Sequence, residues 1–404
     1  MKNIMKKVLL LGAGFIAITL ILYLIAGSLV YPPEYIRRAI LWGESDVYDY
    51  QKFPERKIEP GDDPFKFEIN YEDESVQAFF EADPKIDDLD SFLAETKTQA
   101  FLVIHNDRII YERYFNGVKR DSIVTSFSVA KSFTSALVGI AIHEGYIGSV
   151  EDPITLYLPE LEERDVRFKN ITIRDLLMMA SGINYSDVVP LLHDDGAKTY
   201  YYPDLRDIAL HGTHIAGHPG EHFLYNNYHP LLLGMILERS TGMTVAGYLE
   251  QKIWKPVGME YAGSWSLDNP ESGFEKMESG INARAVDFAK LGRLFLNQGV
   301  WNGSDVIPTA WITESTEEDK SIQRENYYPA DEFFTKAEGY YKYMWWGLPR
   351  SGGVYDYSAA GKYGQFIYVS PEANLIIVRN GEKYGIEFAD WLQVFYRFAS
   401  SIAK

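Results

Sequence analysis

The 404-residue chain contains no cysteine, so disulfides, thiolate nucleophiles and cysteine-ligated zinc are excluded together. An extracytoplasmic location remains compatible with that lack. Positive charge is scarce: 39 Lys and Arg stand against 57 Asp and Glu, a formal net charge of −18. No basic stripe runs through the acidic background, which argues against a nucleic-acid partner. There is no Walker-type loop, no G-x-G-x-x-G unit and no internal repeat, so no nucleotide cofactor is indicated and none of another kind is expected. Disorder is excluded as well, because 46% hydrophobic composition over this length can bury a large core.

What is present begins with an apolar run. Val8 to Tyr31 is almost uninterrupted and follows Lys2, Lys6 and Lys7, which is long enough for a helix to cross a bilayer. The expectation is a cytoplasmic tip over 1–7, a transmembrane anchor over 8–31, a proline- and charge-rich linker or strap over 32–66, and one globular domain over 67–404. The lysines ahead of the span orient the chain as a single-pass protein of the cell membrane with its large domain outside the cytoplasm. Ala26-Gly27-Ser28 offers the alternative of a cleaved leader.

In the globular part, strand signals cluster at the two ends. Phe101–Ile104 and Ile109–Phe115 flank His105-Asn106-Asp107-Arg108, and Gln365–Val369 and Leu375–Val378 flank Ser370–Asn374, two hairpins. Helical periodicity lies between them: after Ser128, from Ile171 with Thr172 and Asp175 as a capping box, over Leu231–Ser240, over Thr244–Ile253, and over Ala283–Asn297 behind Asn282 as cap. A last helix buries Phe388, Trp391, Leu392, Phe395 and Ala399. The fold class is α+β: an antiparallel sheet built from both chain ends, covered by helices, with an inserted helical lobe and one N-terminal transmembrane helix. The irregular stretches Asn184–Glu221 and Pro308–Met344 are expected to border a pocket.

Three short motifs carry chemistry. Ser128 and Lys131 stand three residues apart at the start of a helix, so the amine reaches the hydroxyl on one face while the helix start favours a developing anion. The lysine serves as a base only if burial or a neighbouring cation lowers its proton affinity. Tyr225 and Asn227 form Y-x-N, an acid/base phenol of lowered pKa and an orienting amide. Lys362-Tyr363-Gly364 forms K-x-G: Lys362 places a cation in the pocket, Gly364 lets substrate approach the strand, and the backbone N–H of Gln365 can stabilise an oxyanion. Each triplet has a bland explanation, since serine, lysine and tyrosine are common. His211, His214, His218 and His222 also crowd one segment, but Pro219-Gly220 breaks their spacing, no H-E-x-x-H helix is present and no metal is expected.

Taken in order, the motifs resemble those of the penicillin-recognising serine hydrolases: class C β-lactamases, D-alanyl-D-alanine peptidases, and related esterases and 6-aminohexanoate-dimer hydrolases. The likeness spans roughly residues 90 to 400. It implies that Ser128 is the acylated nucleophile, Lys131 its base and Tyr225 a second acid/base. Asn227, Lys362 and Gly364 would line the substrate side, with the backbone N–H groups of Ser128 and Gln365 as the oxyanion hole. Tyr363 occupies the middle of K-x-G, where lactamases and peptidases carry a small hydroxyl residue. The implied function is therefore hydrolysis of an amide or ester in a small or peptide-like substrate, on the esterase and oligomer-amide branch. The alternatives are a D-alanyl-D-alanine peptidase or β-lactamase, or a non-catalytic wall-binding or sensor module. The sequence is silent on oligomeric state and on which loop residues set specificity.

Overall fold

A computed structural model describes residues 2–187, 192–319, 321–322, 332–335 and 339–403. In chain order its strands are β1 (Glu55–Ile58), β2 (Glu68–Ile69), β3 (Thr98–His105), β4 (Arg108–Tyr114), β5 (Val124–Thr125), β6 (Gly263–Ser266), β7 (Ile281–Ala283), β8 (Val300–Trp301), β9 (Ser304–Asp305), β10 (Tyr340–Lys342), β11 (Trp345–Pro349), β12 (Tyr355–Gly361), β13 (Gln365–Ser370) and β14 (Leu375–Gly381). The main sheet runs β10-β11-β12-β13-β14-β3-β4-β2, antiparallel except where β2 meets β4. The two expected hairpins are β3–β4 and β13–β14, and the last strand of the chain pairs with β3, which joins the two chain ends in one sheet. The β3–β4 turn is tight because Asn106 and Asp107 both adopt positive φ, 51° and 61°.

Both faces of the sheet are covered, which is why β13 and β14 read as continuous apolar runs instead of alternating. One cross-strand row, Phe366–Arg379–Phe101, faces the C-terminal helix Phe388–Ile402, where Trp391 and Phe395 meet it. The opposite face of the sheet packs on the helix Ala285–Leu296, pressed so close that a methyl on Gly292 would lie 2.8 Å from Ile376 and 2.9 Å from Ile367. The capping box on Ile173–Leu177 forms as the spacing requires, Thr172 and Asp175 each serving the other's backbone. Asn282 does not cap a helix. It lies inside β7 and bonds Thr125, Ser264 and Ser266, and the helix starts after Arg284. Within Asn184–Glu221, the helices Asp195–Tyr201 and Leu205–His211 replace part of the expected irregular chain, each capped by an aspartate.

The amino-terminal expectation is corrected. Residues Lys2–Ser28 form one helix, but no helix among the described residues is long and apolar enough to cross a membrane. The transmembrane anchor, the membrane partner and the single-pass cell-membrane location are withdrawn. The end of this helix is seated on protein: the Leu192 N–H donates to the Tyr23 hydroxyl at 3.1 Å, and Tyr31 bonds His193 at 2.7 Å. A methyl on Gly27 would come within 2.7 Å of Leu192. Residues 32–66, read as a linker, carry the helix Pro33–Leu41 and strand β1, which pairs with β6. Arg38 of this helix is 5% exposed and donates to the Asp268 carbonyl at 2.7 Å.

Candidate active site

The segment that carries Ser128 is positioned by the second sheet, β1-β6-β7-β5. Strand β5 pairs with β7 in the register Thr125↔Asn282, and Ser126 continues it by exchanging backbone and side-chain bonds with Ile281. The chain then turns through a single 3-10 turn, Phe127–Val129, into the helix Ala130–His143. No side chain caps that helix. Phe127 holds φ at 41°, a left-handed conformation that costs about 1–3 kcal/mol in a non-glycine residue and sets Ser128 at the turn.

Lys131 lies one turn on, 1% exposed, and its Nζ donates to Ser128 Oγ at 2.8 Å and to the Glu278 carbonyl at 2.9 Å. Burial pulls its pKa from 10.5 down to about 7, against a smaller upward pull from the Glu278 carboxylate. Lys362 does not contribute to this shift, although the sequence offered it as a cause. The amine therefore hovers between its two forms at neutral pH. The Tyr225 ring lies 4.9 Å from Lys131 Nζ and stacks on Trp346 at 5.8 Å. Burial pushes the Tyr225 phenol upward, the reverse of the lowered value expected, while its hydrogen bond with Ser128 offsets part of that. Tyr225 is thus held protonated at neutral pH. Asn227 Nδ2 donates to the Tyr185 hydroxyl at 2.9 Å. Ser128, Lys131, Tyr225 and Asn227 are brought together.

The third motif is used differently. Gly361 pairs with Gln365 across the β12–β13 turn. It is Gly361, not Gly364, that touches the Ser128 segment: a methyl there would lie 2.6 Å from the Ser126 carbonyl oxygen and 3.0 Å from the Ser128 nitrogen. Gly364 takes φ 78° and leaves room for Arg379, whose Nη1 donates to the Gly364 carbonyl at 2.9 Å and to the Tyr363 carbonyl at 3.1 Å. Gln365 acts through its side chain, Nε2 donating to the carbonyls of Lys362 at 3.0 Å and Gly381 at 2.6 Å. It clamps the hairpin. Lys362 lines the cleft but its Nζ is held by Glu44 Oε1 and Ser45 Oγ, both at 3.0 Å. Tyr363 places its ring edge-on to Phe127 and donates to the Ser45 carbonyl at 2.7 Å.

Ser128, Asn227 and Lys362 border a cleft of about 770 Å³. Its floor is Ser128, Glu278 and Asn227; one wall is Tyr185 and the Asp195–Tyr201 helix; the other is the strap around Gly43–Ser45 together with Lys362. Sequence reasoning missed Glu278, Gly361 and this strap. Glu278 carried no distinguishing signal, because Glu271, Glu275 and Lys276 crowd the same polar stretch. The strap carried none, because its residues reach the cleft only through the fold. Of the four histidines, His211 pairs with Asp207 at 2.8 Å, and no group of three or more ligating side chains that could hold a metal occurs among the described residues.

A family profile described as Beta-lactamase matches residues 89–384. The chain is 30% identical over 306 residues to the 6-aminohexanoate-dimer hydrolase of Paenarthrobacter ureafaciens, covering 73% of this chain and 75% of that protein. It is 28% identical over 138 residues to the D-aminopeptidase of Brucella anthropi, 33% of this chain and 25% of that protein. Among solved structures, a Bacillus anthracis protein named provisionally as a 6-aminohexanoate-dimer hydrolase superposes with a TM-score of 0.72 at 24% identity, over 88% of this chain and 92% of its own.

Proposed function

The chain belongs to the beta-lactamase family of serine hydrolases, and from that premise we propose that it cleaves a linear amide or an ester through an acyl-enzyme on Ser128. The observation that carries this reading is the buried Lys131 amine, 2.8 Å from Ser128 Oγ and lowered to about 7. Neutral Lys131 takes the hydroxyl proton as Oγ attacks the carbonyl carbon, and returns it through Tyr225 to the departing amine or alcohol. The oxyanion meets the Ser128 N–H and the backbone at the Gly361–Lys362 step, the part of the third motif that lies against the nucleophile. Likeness to a 6-aminohexanoate-dimer hydrolase supports a linear amide as the substrate.

The test is intact-mass spectrometry of the purified protein after exposure to p-nitrophenyl acetate, a short linear amide of 6-aminohexanoate and benzylpenicillin. The first two are expected to add an acyl group that maps to Ser128, and the penicillin to add little. Stable acylation by penicillin with none by the other two would replace this reading with the peptidase or lactamase one.

A further inference from the structure

We propose that Glu278 holds and orients the water that hydrolyses the acyl-enzyme, an inference that rests on the acyl-enzyme reading above. Glu278 is 2% exposed and borders the same cleft as Ser128. One carboxylate oxygen, Oε1, is saturated: it accepts from Lys276 Nζ and from Ser279 Oγ, both at 2.9 Å. The other, Oε2, is buried and has no hydrogen-bond partner among the described residues. An ionic oxygen left so is costly, and a donor within the cleft is what would satisfy it.

Its surroundings fix it in place. Lys276 is itself 1% exposed and also donates to the Tyr200 carbonyl, with its ammonium over the Tyr200 ring at 4.0 Å and the Phe53 ring at 4.4 Å. The backbone carbonyl of the same Glu278 accepts from Lys131 Nζ, which in turn reaches Ser128 Oγ. One residue therefore borders the cleft, carries a buried acceptor without a partner among the described residues, and grips the amine that reaches Ser128 Oγ. A cleft of about 770 Å³ has ample room for a water beside a bound acyl chain.

In the step, the water gives one O–H as a hydrogen bond to Glu278 Oε2 and its oxygen bonds to the acyl carbon. Its other proton passes to the neutral amine of Lys131. The carbon–Oγ bond of the tetrahedral intermediate then breaks, the Lys131 ammonium returns the proton to Oγ, and the carboxylic acid leaves. Glu278 ends as it began.

The experiment compares wild type with Glu278→Gln in pre-steady-state hydrolysis of p-nitrophenyl acetate, with and without hydroxylamine. The variant is expected to keep a burst near one p-nitrophenol per enzyme within about threefold of the wild-type rate, while steady turnover falls about 100-fold and acetylated Ser128 accumulates. Hydroxylamine, a nucleophile that needs no positioning base, is expected to restore most of the turnover. A burst and steady rate that fall together, with no accumulation and no rescue, overturn the proposal and leave Glu278 acting only through Lys131. Because Glu278→Gln strands the buried Lys276, the double variant Lys276→Met with Glu278→Gln is measured alongside and is held to the same two outcomes. Absence of acetyl mass on Ser128 in both wild type and variant, with turnover intact, would defeat the acyl-enzyme reading itself.

Discussion

The two sides of the cleft, helix start and strand hairpin, differ in how they are made. On the Ser128 side, Ser128 and Lys131 are three residues apart in one turn, so the backbone brings amine to hydroxyl, and packing strips water from the pair and anchors the amine on the Glu278 carbonyl. On the hairpin side, Gly361, Lys362, Gly364 and Gln365 are just as close in sequence, yet they face four different partners: Ser128, Glu44, Arg379 and the β14 backbone. The lesson is that a motif on a helix carries its geometry with it, whereas a motif in a β-turn takes its meaning from what lies above and below the sheet.

The strongest way to break this contrast is to remove the helical pair. Ser128→Ala and Lys131→Ala are each expected to lower kcat/KM for an ester by 10³-fold or more with circular dichroism unchanged, and Ser128→Ala to abolish labelling by a fluorophosphonate. Activity within tenfold of wild type in either would mean that the pair is not the catalytic unit.

Next in size is Gly361→Ala, expected to lower kcat/KM by about 100-fold, because its methyl group invades the contact with the Ser126 carbonyl and Ser128 nitrogen. Gly364→Ala sharpens the point from the other direction. Positive φ and the close Arg379 guanidinium make it a stability variant, with a fall in Tm worth about 2 kcal/mol and, once folded, near-normal kcat. If Gly364→Ala injures kcat more than Gly361→Ala does, the assignment of the two glycines is reversed.

The pH dependence follows from Lys131. Acylation needs the neutral amine, so kcat/KM is expected to rise through an apparent pKa near 7 and to fall about tenfold per unit below it. For stability, the native amine loses its proton near pH 7 and the unfolded one near 10.5, so between these values the unfolded chain binds more protons. Wild-type stability therefore gains with pH across that window. The margin by which Lys131→Met exceeds wild type in Tm is expected to be widest below about pH 7 and to narrow toward pH 10.5. A margin that does not change with pH would mean that the lysine is not held neutral by burial.

The smallest effect is expected from Lys362→Ala. The pair with Glu44 is well exposed and worth about 0–1 kcal/mol, so Tm should barely move and ester turnover should change less than threefold. A loss of 100-fold would restore Lys362 as part of the chemistry.

Much was legible from the chain itself because it rests on short-range physics. The S-x-x-K spacing, the Thr172–Asp175 capping box and both hairpins depend on residues within a few positions of one another, and each forms as its pattern requires. The pattern of strands at the two ends also led correctly to one sheet joined through β14 and β3. Tertiary structure decided the rest. The depth at which Lys131 is buried, the upward push on Tyr225, the carbonyl of Glu278 as anchor of the amine and the strap closing over Lys362 all join segments tens to hundreds of residues apart. Desolvation is the common cause. Proton affinity and hydrogen-bond demand depend on which atoms exclude water from a group, and a string of residue types does not state that until the chain has closed around it.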